Sequence, residues 1–196
     1  RLVLREYMQN STGMYFETNY SFNASAAGYG NVSKYVNLTT NKVVNDSSQV
    51  VLTMTRYITS CQNITSAGSY NVTSNLSSTG NCMNILANDI SLDCNGYAIN
   101  YSSSSVGYGV YTNSSYTTLR NCIIQQTNSS LANSHGIYYN TASNGNILNN
   151  SVNTIGIMSY GYYSSASTND TLANNRFNTS KAIAIYVTGT TPSDYN

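Results

Sequence analysis

Apolar residues along this chain fall in short alternating runs. Segments rich in Ile, Val, Leu, Thr and Tyr are broken by Asn, Ser and Gly, and no window of a dozen residues carries an i, i+3, i+4, i+7 stripe. The pattern predicts strands and no helix. In the second half the strands repeat. Gly109-Val110-Tyr111 runs to Leu119-Arg120-Asn121-Cys122, Gly136-Ile137-Tyr138 to Ile147-Leu148-Asn149-Asn150, and Gly161-Tyr162-Tyr163 to Leu172-Ala173-Asn174-Asn175; Ala184-Ile185-Tyr186 opens a partial fourth copy. The starts lie 27, 25 and 23 residues apart, whereas the Gly-to-Asn distance within each copy is 12, 13 and 13. A constant interior with variable outer spacing is what a coil with adjustable loops produces.

A period in the twenties with three strand pieces per copy predicts a solenoid. The Leu-x-x-Leu-x-Leu spacing of leucine-rich repeats is absent. An antiparallel sandwich is the competing architecture, because Asn95-Gly96 and Asn144-Gly145 have the composition of hairpin turns. Hairpins give no reason, however, for Asn121, Asn149 and Asn174 to recur at one phase. Stacked coils do, since identical amides on successive turns can hydrogen-bond as a ladder. These three amides are expected to stack inside the turn, and burial is expected to keep Asn149 unmodified although it begins an Asn-x-Ser sequence.

Upstream, CQNITSAGSYNVTSNL (residues 61–76) and TGNCMNILANDISLDCNGYAI (residues 79–99) continue the pattern. As a block, residues 59–196 resemble right-handed parallel β-helix repeat proteins of the pectin-lyase-like superfold, in the variety found among archaeal cell-surface proteins. The resemblance implies an all-β, right-handed parallel β-helix. The family includes polysaccharide lyases, polygalacturonases, tailspikes and adhesins, so function has to come from the site. Residues 1–58 lack the coil pattern and form an N-terminal β-rich extension. Strands are expected over 14–22, 32–38 and 50–57, and the segment could cap the coil, pair with a neighbouring chain or form a small subdomain. Pro192, near the end, could blunt a last strand.

Composition adds a compartment. Asn, Ser and Thr make up 82 of 196 residues and charged residues 8%. With a net charge of +1 there is no basic surface for a phosphate backbone, which disfavours nucleic acid. No apolar run is long enough to span a membrane. The chain opens at Arg1 without the features of a signal peptide, and the expectation is that any leader has been removed. Asn-x-Ser/Thr sequons occur at Asn10, Asn19, Asn23, Asn31, Asn37, Asn45, Asn63, Asn71, Asn75, Asn100, Asn113, Asn128, Asn149, Asn169 and Asn178. Chance placement of these residue types would give roughly 8. Four cysteines without a CxxC pair do not suit zinc, and an even count in a sequon-rich chain suits disulfides in an oxidising compartment. The expected pairs are Cys61 with Cys82, closing the first coil, and Cys94 with Cys122, one period apart. The scattered methionines give no copper site.

Chemistry is sparse. A β-helix glycosidase needs two or three converging carboxylates. The coil region offers Asp89, Asp93, Asp170 and Asp194, and Asp170 lies about three coils from the first two, at roughly 4.8 Å per coil. Asp93, beside Cys94-Asn95-Gly96, reads as a turn residue accepting backbone hydrogens. Ser134-His135-Gly136 lacks the paired aspartates and basic residues of a polygalacturonase, so His135 reads as a turn residue opening a coil. Arg120, Arg176 and Lys181 lack the acidic cluster of a calcium-dependent lyase. No catalytic residue, metal or cofactor is assigned, and the chain is expected not to be an enzyme. Tyr numbers 19 against 3 Phe and no Trp. Its apolar ring and hydroxyl tip suit half-wet surfaces and sugar faces, so Tyr108–Tyr111, Tyr138-Tyr139 and Tyr160–Tyr163 could align as stripes. The expected function is a secreted, heavily N-glycosylated structural solenoid of the cell surface that polymerises with copies of itself through end-to-end or strand-donation contacts. A module binding cell-surface glycans is the second expectation and a polysaccharide-active enzyme the third. Few carboxylates also lead to the expectation that the fold tolerates acid.

Overall fold

A computed structural model describes residues 7–10, 13–16, 19–37 and 55–189. The chain divides into two compact units, residues 1–54 and 55–196. In the first, Tyr7–Asn10 pairs antiparallel with Gly13–Phe16, and Asn19–Ala24 pairs antiparallel with Val32–Asn37. Residues 1–6, most of the strand expected over 50–57, Asn45, Pro192 and Asp194 lie outside the described residues.

The second unit is a parallel β-solenoid of about five turns, and the described residues contain no helix. Three sheets form its walls. Sheet A stacks Arg56–Ile58, Gly68–Val72, Ile90–Asp93, Thr118–Arg120, Asn146–Leu148 and Thr171–Ala173. Sheet B stacks Leu76–Ser77, Ala98–Tyr101, Ile123–Gln126, Ser151–Thr154 and Arg176–Thr179. Sheet C stacks Gln62–Ile64, Met83–Ile85, Val110–Thr112, Ile137–Asn140, Tyr162–Ser165 and Ile185–Thr188. Arg56–Ile58 already pairs with the coil, so the solenoid starts inside the stretch assigned to the extension. Asn95-Gly96 turns the chain from sheet A to sheet B, closed by the Tyr97 N–H donating to the Cys94 carbonyl at 2.8 Å, and is not a hairpin.

In-register stacking makes every position a column. The inner column of sheet C reads Met83, Val110, Ile137, Tyr162, and that of sheet A reads Leu92, Leu119, Ile147, Leu172; all are buried. The inward tyrosines satisfy their hydroxyls: Tyr101 donates to the Ser134 carbonyl at 3.0 Å, Tyr139 to that of Thr117 at 3.2 Å, and Tyr162 to Asp170 Oδ2 at 2.8 Å. Cys61–Cys82 and Cys94–Cys122 are bonded, as the spacing predicts. Closing loops of 21 and 28 residues contributes about 3 kcal/mol each through the unfolded chain.

The amide ladder lies one residue away from the expected phase. Asn121, Asn149 and Asn174 occupy the left-handed turn position, with φ of 55°, 56° and 56°. Asn149 and Asn174 are exposed, which removes burial as a reason for Asn149 to stay unmodified. The residues that follow build the ladder. Asn150 Nδ2 donates to Asn175 Oδ1 at 3.0 Å and to the Leu119 carbonyl at 3.1 Å, and Asn150 Oδ1 accepts from the Cys122 N–H at 3.0 Å. Asn recurs visibly at the first position because a non-glycine residue there needs φ > 0, which asparagine tolerates well. In the ladder column the disulfide half Cys122 replaces the amide.

Two substitutions test this packing. A Cβ on Gly136 would sit 2.2 Å from Val152 Cγ1 and 2.8 Å from the Gly161 carbonyl oxygen, so Gly136→Ala is expected to lose about 1–3 kcal/mol by overpacking. Tyr116 holds φ of 58° at the turn that Asn144 and Asn169 fill in later coils, and its side chain is 57% exposed. Tyr116→Asn is expected to gain about 1 kcal/mol by relieving the left-handed strain. Urea denaturation of both variants checks the opposite signs.

Candidate functional site: an aromatic and amide face on sheet C

The outer face of sheet C gathers the polar and aromatic residues that alternate with its inner column. One register column runs Asn63, Asn84, Tyr111, Tyr138, Tyr163, Tyr186. Beside it runs a second, Asn81, Tyr108, His135, Tyr160. Asn81 Oδ1 accepts from the Tyr108 N–H at 2.9 Å, and the His135 ring stacks between Tyr108 at 5.6 Å and Tyr160 at 5.0 Å, within 5° of parallel. The Tyr138 ring meets Tyr108 and Tyr111 edge-on at 5.0 and 5.4 Å and stacks on Tyr163 at 4.7 Å. The expected stripe thus forms from Tyr108, Tyr111, Tyr138, Tyr160 and Tyr163, whereas Tyr139 and Tyr162 point into the core. Alternation sends successive strand residues to opposite faces, so a Tyr-Tyr pair contributes one ring to each.

Where the columns change from amide to ring there is a cleft of about 490 Å³, lined by Asn63, Asn81, Asn84, Leu86, Tyr108, Tyr111, Tyr138 and Asn140. Its size falls within the range of small-ligand sites. No charged side chain lines it. Asn81 Nδ2 donates to Asn84 Oδ1 at 2.9 Å, Asn84 Nδ2 to Asn63 Oδ1 at 2.8 Å, and Asn140 Nδ2 to the Tyr111 hydroxyl at 3.2 Å. Rings and fixed amides without charge can hold a neutral polyhydroxylated ligand. Sequence reasoning found the rings but not Asn81, Asn84 and Asn140, which carry no distinguishing sequence context and meet the rings only through the stacking of coils. No family model, curated protein or solved structure matches the chain.

The other candidate residues lie apart from this cleft or outside the described residues. Asp93 accepts from Arg120 Nε at 2.8 Å, Asn121 Nδ2 at 3.0 Å and the Asn95 N–H at 2.9 Å. Burial pushes its carboxyl up, but these donors outweigh burial and hold it below the usual carboxylate range. Asp170, three coils from Asp93, is raised by burial, against the pull of the Gly145 N–H and the Tyr162 hydroxyl. Asp89 is exposed at a turn. Among sequon residues with described side chains, Asn23, Asn31, Asn63, Asn75, Asn113, Asn149, Asn169 and Asn178 are exposed and Asn71, Asn100 and Asn128 half-buried. The side chains of Asn10, Asn19 and Asn37 lie outside the described residues.

His135 opens its coil as expected, but it is 5% exposed and its Nδ1 accepts from the Tyr160 N–H at 3.1 Å. Burial pushes the imidazole down to about 4. The unfolded chain then takes up a proton near pH 6.5 that the folded one refuses, so stability is full above pH 6.5 and falls as the pH drops towards 4. At about 1.4 kcal/mol per pH unit, the loss is of the order of 3 kcal/mol. Asp170, raised, acts in the opposite sense in part of that window, and Asp93, lowered, loses its contribution only as the pH falls further. The acid tolerance expected from scarce carboxylates therefore meets a buried imidazole. Urea midpoints between pH 7 and pH 4 are expected to fall for the native chain and to stay level or rise for His135→Phe.

Proposed function

We propose that this chain is a secreted, N-glycosylated structural solenoid of a cell surface that polymerises through its coil ends into a filament or surface layer, in the manner of the archaeal surface β-helix proteins it resembles. Two disulfides and sequon asparagines that face solvent or sit half-buried support the extracellular part of the reading. The observation that carries the assembly part is the last described coil. Met83, Val110, Ile137 and Tyr162 are 0% exposed down one column, whereas Ile185, next in register, is 37% exposed. In sheet B, Phe177 is only half-buried beyond Val152, and Ile183 is 57% exposed. An outermost strand with exposed apolar inward residues is a template for another strand.

The N-terminal unit supplies strand-forming sequence in two-stranded ribbons, which are marginal alone and gain by pairing. Strand donation from one copy to the next is a heterologous contact that does not close, so it generates a filament. Glycans on the coil walls would leave the ends as bare protein.

Light scattering and electron microscopy of the intact glycoprotein are expected to show linear polymers or a sheet. Ile185→Lys is expected to raise the concentration needed for assembly at least about tenfold, since burying an unpaired charge costs well over 1.4 kcal/mol. A monodisperse particle of monomer mass for the native chain would refute the assembly.

A further inference from the structure

The cleft on sheet C has a built-in candidate occupant. Of its lining residues Asn63 alone starts a sequon, Asn63-Ile64-Thr65. The amide chain from Asn81 through Asn84 fixes the Asn63 carbonyl by the 2.8 Å bond to its Oδ1. Among the described residues Asn63 Nδ2, the atom to which a glycan attaches, donates to no partner. In the same column Tyr111 lies two strands on and Tyr138 three, about 10 and 14 Å at the parallel strand spacing. Both rings are half-buried, so part of each remains open.

We propose that the cleft seats the chain's own glycan: Asn63 carries an N-linked saccharide whose first rings lie against Tyr111 and Tyr138. This rests on the N-glycoprotein reading above. In the modification, Asn63 Nδ2 bonds to the anomeric carbon of a glycosyl phosphate donor as that carbon's bond to phosphate oxygen breaks. The phosphate leaves with the bonding pair, and one amide proton passes to base. The amide retains one N–H and its carbonyl, so the bond from Asn84 survives. A tether at the mouth of the cleft makes the contact intramolecular, and weak stacking of sugar C–H groups on Tyr rings suffices where a free sugar would dissociate. The uncharged lining matches a neutral ring. The same cleft could take a cell-surface glycan from outside, and the experiment separates the two.

Thr65→Ala removes the sequon while leaving Asn63 and its bond to Asn84 in place; Thr65 is exposed, and its side chain makes no hydrogen bond among the described residues. The native glycoprotein is mapped for occupancy, and sugar-to-ring nuclear Overhauser contacts are recorded for native protein, Thr65→Ala, Tyr111→Ala and, as a control losing a different glycan, Asn31→Gln. The expected result is sugar on Asn63, upfield-shifted sugar protons contacting the Tyr111 and Tyr138 rings, loss of both signals in Thr65→Ala, loss of the Tyr111 contact in Tyr111→Ala, and no change in Asn31→Gln. Occupied sequons elsewhere with Asn63 bare would overturn the inference and leave the glycoprotein reading standing. Sugar on no sequon would overturn both. Sugar on Asn63 without ring contacts, or a soluble saccharide entering the cleft while the Asn63 glycan is present, would also overturn it.

Discussion

The parallel backbone hydrogen-bond ladder, repeated in register from coil to coil, is the constraint on which the rest of this molecule depends. Each turn lies about 4.8 Å from the next, so every residue sits beside its equivalent. A column must tolerate its own side chain as a neighbour. Aliphatic columns fill the interior, left-handed turn residues stack with turn residues, amides bond to amides, and rings lie on rings. Gly109, Gly136 and Gly161 stand where the corner closes so tightly that a Cβ at Gly109 would lie 2.3 Å from Ile124 Cγ2, and the Gly-aromatic start of each repeat follows from that corner.

The same constraint explains the composition. Like charges at 4.8 Å repel by about 1 kcal/mol even in water, so a charged column is costly and a neutral polar one is not. Charged residues fall to 8%, and Asn, Ser, Thr and Tyr take their places. The Asp93–Arg120 pair fits the rule, because the two occupy one register position on adjacent coils with opposite signs. Tyrosine serves both faces, with hydroxyls bonded inside and rings stacked outside. On the outer face of sheet C that stacking buries an imidazole and leaves an uncharged cleft where amides give way to rings.

A solenoid closes around its axis but not along it. Each coil is completed by the next, and the last described coil has no further strand to cover Ile185 and Phe177. The burial of the interior and the exposure of Ile185 have one origin, since a further strand in register is what buries the corresponding residue of each earlier coil.

The repeat, its three strands per turn and both disulfide pairs were legible in the sequence, because period and spacing are one-dimensional and a parallel coil converts them directly into neighbours. Asp93 as a turn acceptor was legible for the same reason: its donors at Asn95 and, one period on, Arg120 and Asn121 are set by local sequence and register. The ladder's phase was not. Asn149 and Asn150 are the same residue type, and which of them turns outward depends on where the left-handed corner falls. Nor could the sequence place Asn63, Asn84 and Asn140 around Tyr111, or show that His135 lies between two rings, because those contacts arise between residues on different coils, 21 to 29 positions apart. The sequence by itself determined what repeats; closure of the coil decided which side of each strand faces inward, since that choice is made by packing across the interior and alternation alone leaves both faces open.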